Sequence, residues 1–179
     1  NWSDRNTCVL FGDGAGAAVV QATTEEKGIL GTFLSGDGSL ANLLHIPFGG
    51  TKVPLTRENV ELKQQYIQMA GSEVFKSAVR AMEDAAVHVI LKAGLSTEEI
   101  DLVIPHQANI RIIEALARRL KLPMEKVYVN IDRYGNTSSA SVPIALDEAR
   151  KKGLIKEGSN TVLVAFGGGF TWGSALIKW

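Results

Sequence analysis

With 179 residues, 45% hydrophobic and 21% charged, the chain is long enough to bury a core and falls in the range of one to two domains of a soluble globular protein. Nineteen Lys plus Arg balance nineteen Asp plus Glu, so no global field draws in nucleic acid or an anionic membrane, and a polyanion would have to be held by a local patch. The single cysteine, Cys8, excludes an internal disulfide framework and a Cys-rich zinc site and fits a reducing cytoplasm, and no apolar run approaches the roughly 20 residues of a membrane span. The first residue is not Met and a strand-like run follows within a few residues, which leads us to expect a longer parent chain with a preceding N-terminal portion.

In chain order, "TCVLF", "AGAAVVQA" and "GILGTFLS" predict three short strands separated by turn chemistry. Residues 36 to about 59, with Pro47, Gly49, Gly50 and Pro54, predict a long functional or interfacial loop. From about Gln65 to Ala93, Met69, Val79, Met82, Ala86 and Ile90 recur on one face of a long helix, and Gly94 sits where a C-cap belongs. Ser96 and Glu99 have capping-box spacing ahead of the strand "LVIP". A helix with Ile110, Ile113, Ala117 and Leu120 inside follows, ending before Pro123, then a strand "KVYVN". A last helix from near Ser139 to Gly153 leads to "NTVLVAF", a triple glycine and the closing strand "TWGSALIKW". This alternation predicts an α/β fold with a mixed sheet.

Two glycine runs, the three histidines and one asparagine bear on chemistry. "GDGAGAA" lacks the helix that a dinucleotide-binding loop requires and reads as a tight turn. "FGGGFTWG" is either a hairpin turn or a place where bare backbone N–H groups approach a ligand oxygen. His45 and His88 have no metal-ligand neighbours at useful spacing and read as packing or surface residues. His106, in "IPHQAN", differs because it stands at a strand end, where α/β sheets bind ligands. Asn136, in "GNTSSAS", occupies a comparable place after "KVYVN", although alone it reads as a turn residue or N-cap.

Taken together, "FGDGAGAAVV", "PHQAN", "GNTSSASVPIALDEA" and "AFGGGFTWGSALI", in this order, resemble the β-ketoacyl-acyl-carrier-protein synthase III family of condensing enzymes over nearly the whole chain. The resemblance implies a thiolase-like fold, five-layered αβαβα when complete. Residues 1–35 would be the final strands of the N-terminal half and 36–179 the C-terminal half. It implies a Cys-His-Asn triad with His106 and Asn136 as two members and no cofactor or metal, acyl-CoA and malonyl-acyl-carrier protein being substrates. The family's nucleophilic cysteine has no counterpart here, and Cys8 reads as a small apolar residue. By the same resemblance the backbone N–H of Gly168 serves an acyl-transfer oxyanion, and Met69, Gly71, Phe75 and Asn109 line a pantetheine tunnel. Arg111, Arg118 and Arg119, on the residues alone a solvated basic face, become with Lys76 a docking patch for acidic acyl carrier protein. The implied assembly is a homodimer that includes the N-terminal half. The rivals are a related condensing enzyme of secondary metabolism and a non-catalytic portion that requires its complement.

Overall fold

The computed structural model describes residues 1–179. One four-stranded mixed sheet organises the chain, in the order β1 (Gly28–Gly36), β6 (Thr171–Lys178), β5 (Asn160–Gly167), β4 (Leu102–Pro105). Strand β4 runs parallel to β5, and the other two pairings are antiparallel. Helices α1 (Gly71–Lys92) and α2 (Ile110–Arg119) pack together on one face, and α4 (Ser141–Lys151) covers part of the other, near β4 and β5. A single-turn helix α3 (Ile131–Tyr134) and a two-stranded pair, β2 (Leu44–His45) with β3 (Gln68–Met69), complete the set.

The alternation in β5 explains the layering. Val162, Val164 and Phe166 point into the main core with Met82, Val89 and Ile90 of α1 and Ile113 and Leu116 of α2, each of these helix residues at most 1% exposed. At roughly 1.5–3 kcal/mol per fully buried aliphatic side chain, this face holds the domain together. A smaller cluster of Leu102, Ile104, Tyr128, Ala145 and Ala149 joins α4 to the opposite face. Helix α1 ends as expected: Gly94 takes φ +73 and Leu95 N–H donates to Ile90 C=O at 3.1 Å, a Schellman closure. The Ser96–Glu99 capping box forms around a single 3₁₀ turn.

Four sequence expectations are corrected. Of the three opening strands only "GILGTFLS" forms, as β1, in the same sheet as β4–β6. "TCVLF" keeps a single bridge, Phe11 to Asn136, and "AGAAVVQA" finds no partner strand, with Val19 and Val20 96% and 77% exposed; β pattern without a neighbouring strand does not make a sheet. Helix α1 starts at Gly71, not Gln65, because residues 68–69 pair with 44–45, a non-local contact that local periodicity does not register. The strand "KVYVN" reduces to one bridge, Val103 to Val127, with Tyr128 N–H donating to Val103 C=O at 2.9 Å. Its next rung would need an N–H from Pro105, which has none.

The fourth correction concerns "GDGAGA". Gly12, Gly14 and Gly16 do not adopt positive φ and make no tight turn. They are required by close approach: a Cβ on Gly12 would lie 2.2 Å from the Tyr134 carbonyl oxygen, and one on Gly16 2.5 Å from Pro143. The glycine run is therefore an extended segment laid against residues 134–144, beside Asn136.

Candidate active site

Because β4 and β5 are parallel, their carboxyl ends share one edge of the sheet, and both feed the site. His106 continues β4 by one rung, its N–H donating to Val164 C=O at 2.8 Å, while β5 runs on into the glycine turn of the β5–β6 hairpin. Thr171 Oγ1 donates to Gly168 C=O at 3.2 Å, and the Phe170 N–H and C=O each bond Asp37 at 2.8 Å, so the turn is held from two sides. Gly168 lies under the β2 segment, where a Cβ would sit 3.0 Å from Leu44 C=O. The turn is the three-residue hairpin loop expected, with Gly169 at φ +142, and its Gly167 and Gly168 line a cavity.

Gln107 replaces the ladder rungs that Pro105 cannot make. Its Nε2 donates to Pro105 C=O at 2.8 Å and Tyr128 C=O at 3.1 Å, and its Oε1 accepts from Asn130 N–H at 3.0 Å. At 1% exposure this carboxamide ties the histidine-bearing strand end to the segment that leads to Asn136. The imidazole of His106 meets α4: Nδ1 lies 2.6 Å from Ser141 Oγ, which also accepts from Gln107 N–H at 3.2 Å. Burial pushes the His106 pKa down from 6.5 to about 4, so the ring is neutral at physiological pH.

Asn136 is fixed through its backbone by the glycine segment, donating from N–H to Leu10 C=O at 2.8 Å and accepting from Gly12 N–H at 3.0 Å. Its side-chain Oδ1 accepts from Ser138 N–H at 2.9 Å, which sets the amide orientation and leaves Nδ2 with donors to offer. The segment behind it is clamped by Glu148 of α4. That carboxylate accepts from Asn130 Nδ2 at 2.9 Å, Tyr128 Oη at 3.1 Å, Tyr134 Oη at 2.7 Å and both Arg133 guanidinium nitrogens at 2.8 and 2.6 Å. Burial alone would raise the Glu148 pKa, but the bonds from Asn130, Tyr134, Arg133 and Tyr128 outweigh it and bring it from 4.5 to about 2.

His106, Asn136 and Gly168 line one cavity of about 1680 Å³. That exceeds a single small-ligand pocket because the space continues along the sheet face that α4 leaves bare, past Leu34, Ala165 and Ala175. Met69, Gly71, Phe75, Lys76, Asn109 and Arg111 line its α1–α2 side. Asn109 has a second duty as the N-cap of α2, accepting from Arg111 N–H at 2.9 Å, and the Arg111 guanidinium lies 5.8 Å from the Phe75 ring centroid. Arg118 and Arg119 stand outside the cavity, and Arg119 is paired with Glu83 of α1 at 2.7 Å. Cys8 is not among the lining residues, and no other cysteine is present. His88 stacks on Phe33 at 4.1 Å, a packing role, whereas His45 also lines the cavity. Gln107, Ser141 and Glu148 were not singled out by the sequence. Their partners lie 15 to 35 positions away in most cases, and only the fold brings them together.

A histidine at a parallel strand end, a carboxamide from the loop before the opposing helix and a glycine hairpin share one cavity in an α/β fold of the thiolase-like class. Comparison with known proteins makes the assignment specific. The 3-oxoacyl-[acyl-carrier-protein] synthase III family matches residues 1–38, and the C-terminal family of the same synthase matches residues 90–179. The chain is 57% identical over its whole length to the β-ketoacyl-[acyl-carrier-protein] synthase III of Caldanaerobacter subterraneus, of which it covers 54%. It superposes on the crystal structure of 3-oxoacyl-[acyl-carrier-protein] synthase III from Aquifex aeolicus with TM-score 0.89 and 51% identity, covering all of this chain and 53% of that one. A priming β-ketosynthase of the R1128 polyketide pathway aligns over 84% of this chain and 45% of its own, at 32% identity and TM-score 0.73. The chain belongs to the β-ketoacyl-[acyl-carrier-protein] synthase III family, and it spans about half the length of the curated relatives it matches.

Proposed function

We propose that this chain is the C-terminal, enolate-stabilising part of a β-ketoacyl-acyl-carrier-protein synthase III, which condenses an acyl-CoA primer with malonyl-acyl-carrier protein at the start of fatty acid synthesis. In this reading a cysteine thiolate from an N-terminal portion takes the acyl group from coenzyme A. Loss of CO₂ from the malonyl thioester leaves the electron pair of the broken C–C bond on the α-carbon, delocalised onto the thioester oxygen. A His106 N–H and the Asn136 Nδ2–H stabilise that oxygen. The α-carbon then attacks the acyl-enzyme carbonyl, and the cysteine thiolate leaves while the Gly168 N–H holds the oxyanion. A neutral imidazole suits this work, since it donates a hydrogen bond without a proton transfer to the enolate.

The observation that carries the reading is that His106, neutral by burial, shares one cavity with Asn136 and Gly168. Arg111 and Lys76 on its rim suit an acidic carrier protein, and Met69, Gly71, Phe75 and Asn109 suit its pantetheine arm; Arg118 extends the basic face outside. Arg119 is the weakest member, because Glu83 already neutralises it. The bare sheet face and the exposed apolar residues Val19 and Val20, which join no strand ladder, suit a homodimeric enzyme whose N-terminal half completes the fold. The lone cysteine suits a cytoplasmic setting. A priming ketosynthase of secondary metabolism is the rival, and the higher identity to the fatty acid enzymes favours those.

The test uses the complete protein that carries this chain. His106→Ala and Asn136→Ala should each slow malonyl decarboxylation roughly a hundredfold, about 3 kcal/mol, while labelled acetyl still moves from acetyl-CoA to the protein. Decarboxylation at the wild-type rate in both variants would end the proposal.

A further inference from the structure

We infer that Ser141 is a positioning residue that fixes the tautomer of His106, holding its proton on Nε2 so that Nε2–H faces the substrate oxygen. The catalytic meaning of this rests on the condensing-enzyme reading above; the tautomer itself does not. The argument is a count of protons. Ser141 Oγ, on a residue 2% exposed, has two neighbours: Gln107 N–H at 3.2 Å and His106 Nδ1 at 2.6 Å. Gln107 N–H can only donate, so it takes one lone pair of the hydroxyl oxygen. If Nδ1 carried the proton it would occupy the other lone pair, and the hydroxyl hydrogen would be stranded in a buried site with no other acceptor in contact. With Nδ1 unprotonated, the hydroxyl donates to it and all three groups are satisfied. The imidazole is neutral, so the single ring proton then resides on Nε2.

The placement is built by the fold rather than by neighbours in sequence. Ser141 is the first residue of α4, 35 positions from His106, and Gln107 is locked by its three bonds to Pro105, Tyr128 and Asn130. The hydroxyl therefore meets a ring and an N–H that cannot drift apart.

The experiment is nitrogen NMR of the complete protein with labelled histidine, His106 being assigned by difference against His106→Gln. In the wild type Nδ1 should resonate as an unprotonated nitrogen and Nε2 as a protonated one. Ser141→Ala should mix the two forms and lower kcat for malonyl decarboxylation on the order of tenfold to a hundredfold, with KM for the malonyl thioester little changed. Ser141→Thr, which keeps the hydroxyl, should restore both the spectrum and the rate. A wild-type spectrum with the proton on Nδ1 would overturn the inference whatever the rates, and it would decide the matter even if Ser141→Ala did not fold. A proton on Nε2 alongside normal decarboxylation by His106→Ala would leave the tautomer standing and remove the enzymatic reading instead.

Discussion

Replacing Glu148 with Gln keeps the shape of the residue and removes only its charge, so the clamp on the segment before Asn136 can be weighed directly. The carboxylate is 15% exposed and Arg133 is 44% exposed, so the ion pair itself is worth about 1 kcal/mol or less. The charge-assisted bonds to Asn130, Tyr128 and Tyr134 would fall to ordinary neutral ones, a further loss of about 1–2 kcal/mol in total once non-additivity is allowed for. Linkage expresses the same bonds as a pH dependence. A carboxyl whose pKa is 4.5 unfolded and about 2 folded contributes at most about 3 kcal/mol, and solvent screening at Arg133 brings this to about 2 kcal/mol. The folded pKa is the lower one, so the contribution is complete above 4.5 and disappears as pH falls towards 2. Glu148→Gln in the complete protein should therefore melt several degrees below wild type at neutral pH, and the gap should close on acidification through that window. Coincident melting curves at neutral pH, or a gap that persists in acid, would refute the clamp.

Other consequences are open to measurement. His106 has a folded pKa near 4 against 6.5 unfolded, so the unfolded chain binds the proton first and folding loses stability between those values as pH falls. The rate of decarboxylation should accordingly show no acid limb near 6.5, and a limb there would contradict a buried neutral ring. Gln107→Leu strands Pro105 C=O, Tyr128 C=O and Asn130 N–H and should destabilise by about 3 kcal/mol or more, with faster hydrogen exchange at the Asn130 amide as the specific sign. Gly12→Ala should lower activity by displacing the segment that brackets Asn136, because its Cβ would overlap the Tyr134 carbonyl; Gly38→Ala, with nothing within 4 Å, should be silent. This chain alone should neither condense nor become acylated at Cys8 by acetyl-CoA, and labelled Cys8 would reverse that expectation.

What could be read without coordinates was whatever depends on short-range pattern. The α2 periodicity, the Ser96–Glu99 box, the Gly94 closure and the β5–β6 hairpin all reappear as expected, and the ends of "LVIP" and "NTVLVAF" define the site edge. The errors arose where a residue answers to a distant partner. "TCVLF" and "AGAAVVQA" carry strand chemistry, yet within this chain only Phe11 finds a bridge, to Asn136. The glycines at 12, 14 and 16 read locally as turn formers, but what requires them lies more than 120 positions away: the Tyr134 carbonyl, Thr137 and Ile144, and Pro143. His106 and Asn136 could be named because of family resemblance, but Ser141, Gln107 and Glu148, which orient them, carry no local signature.

The most direct measurement is a crystal structure of the complete protein with an unreactive malonyl thioester analogue bound. The account predicts the thioester oxygen within hydrogen-bonding distance of both His106 Nε2 and Asn136 Nδ2, with the pantetheine arm leading out past Phe75 and Asn109. An analogue bound with that oxygen facing neither side chain would contradict it.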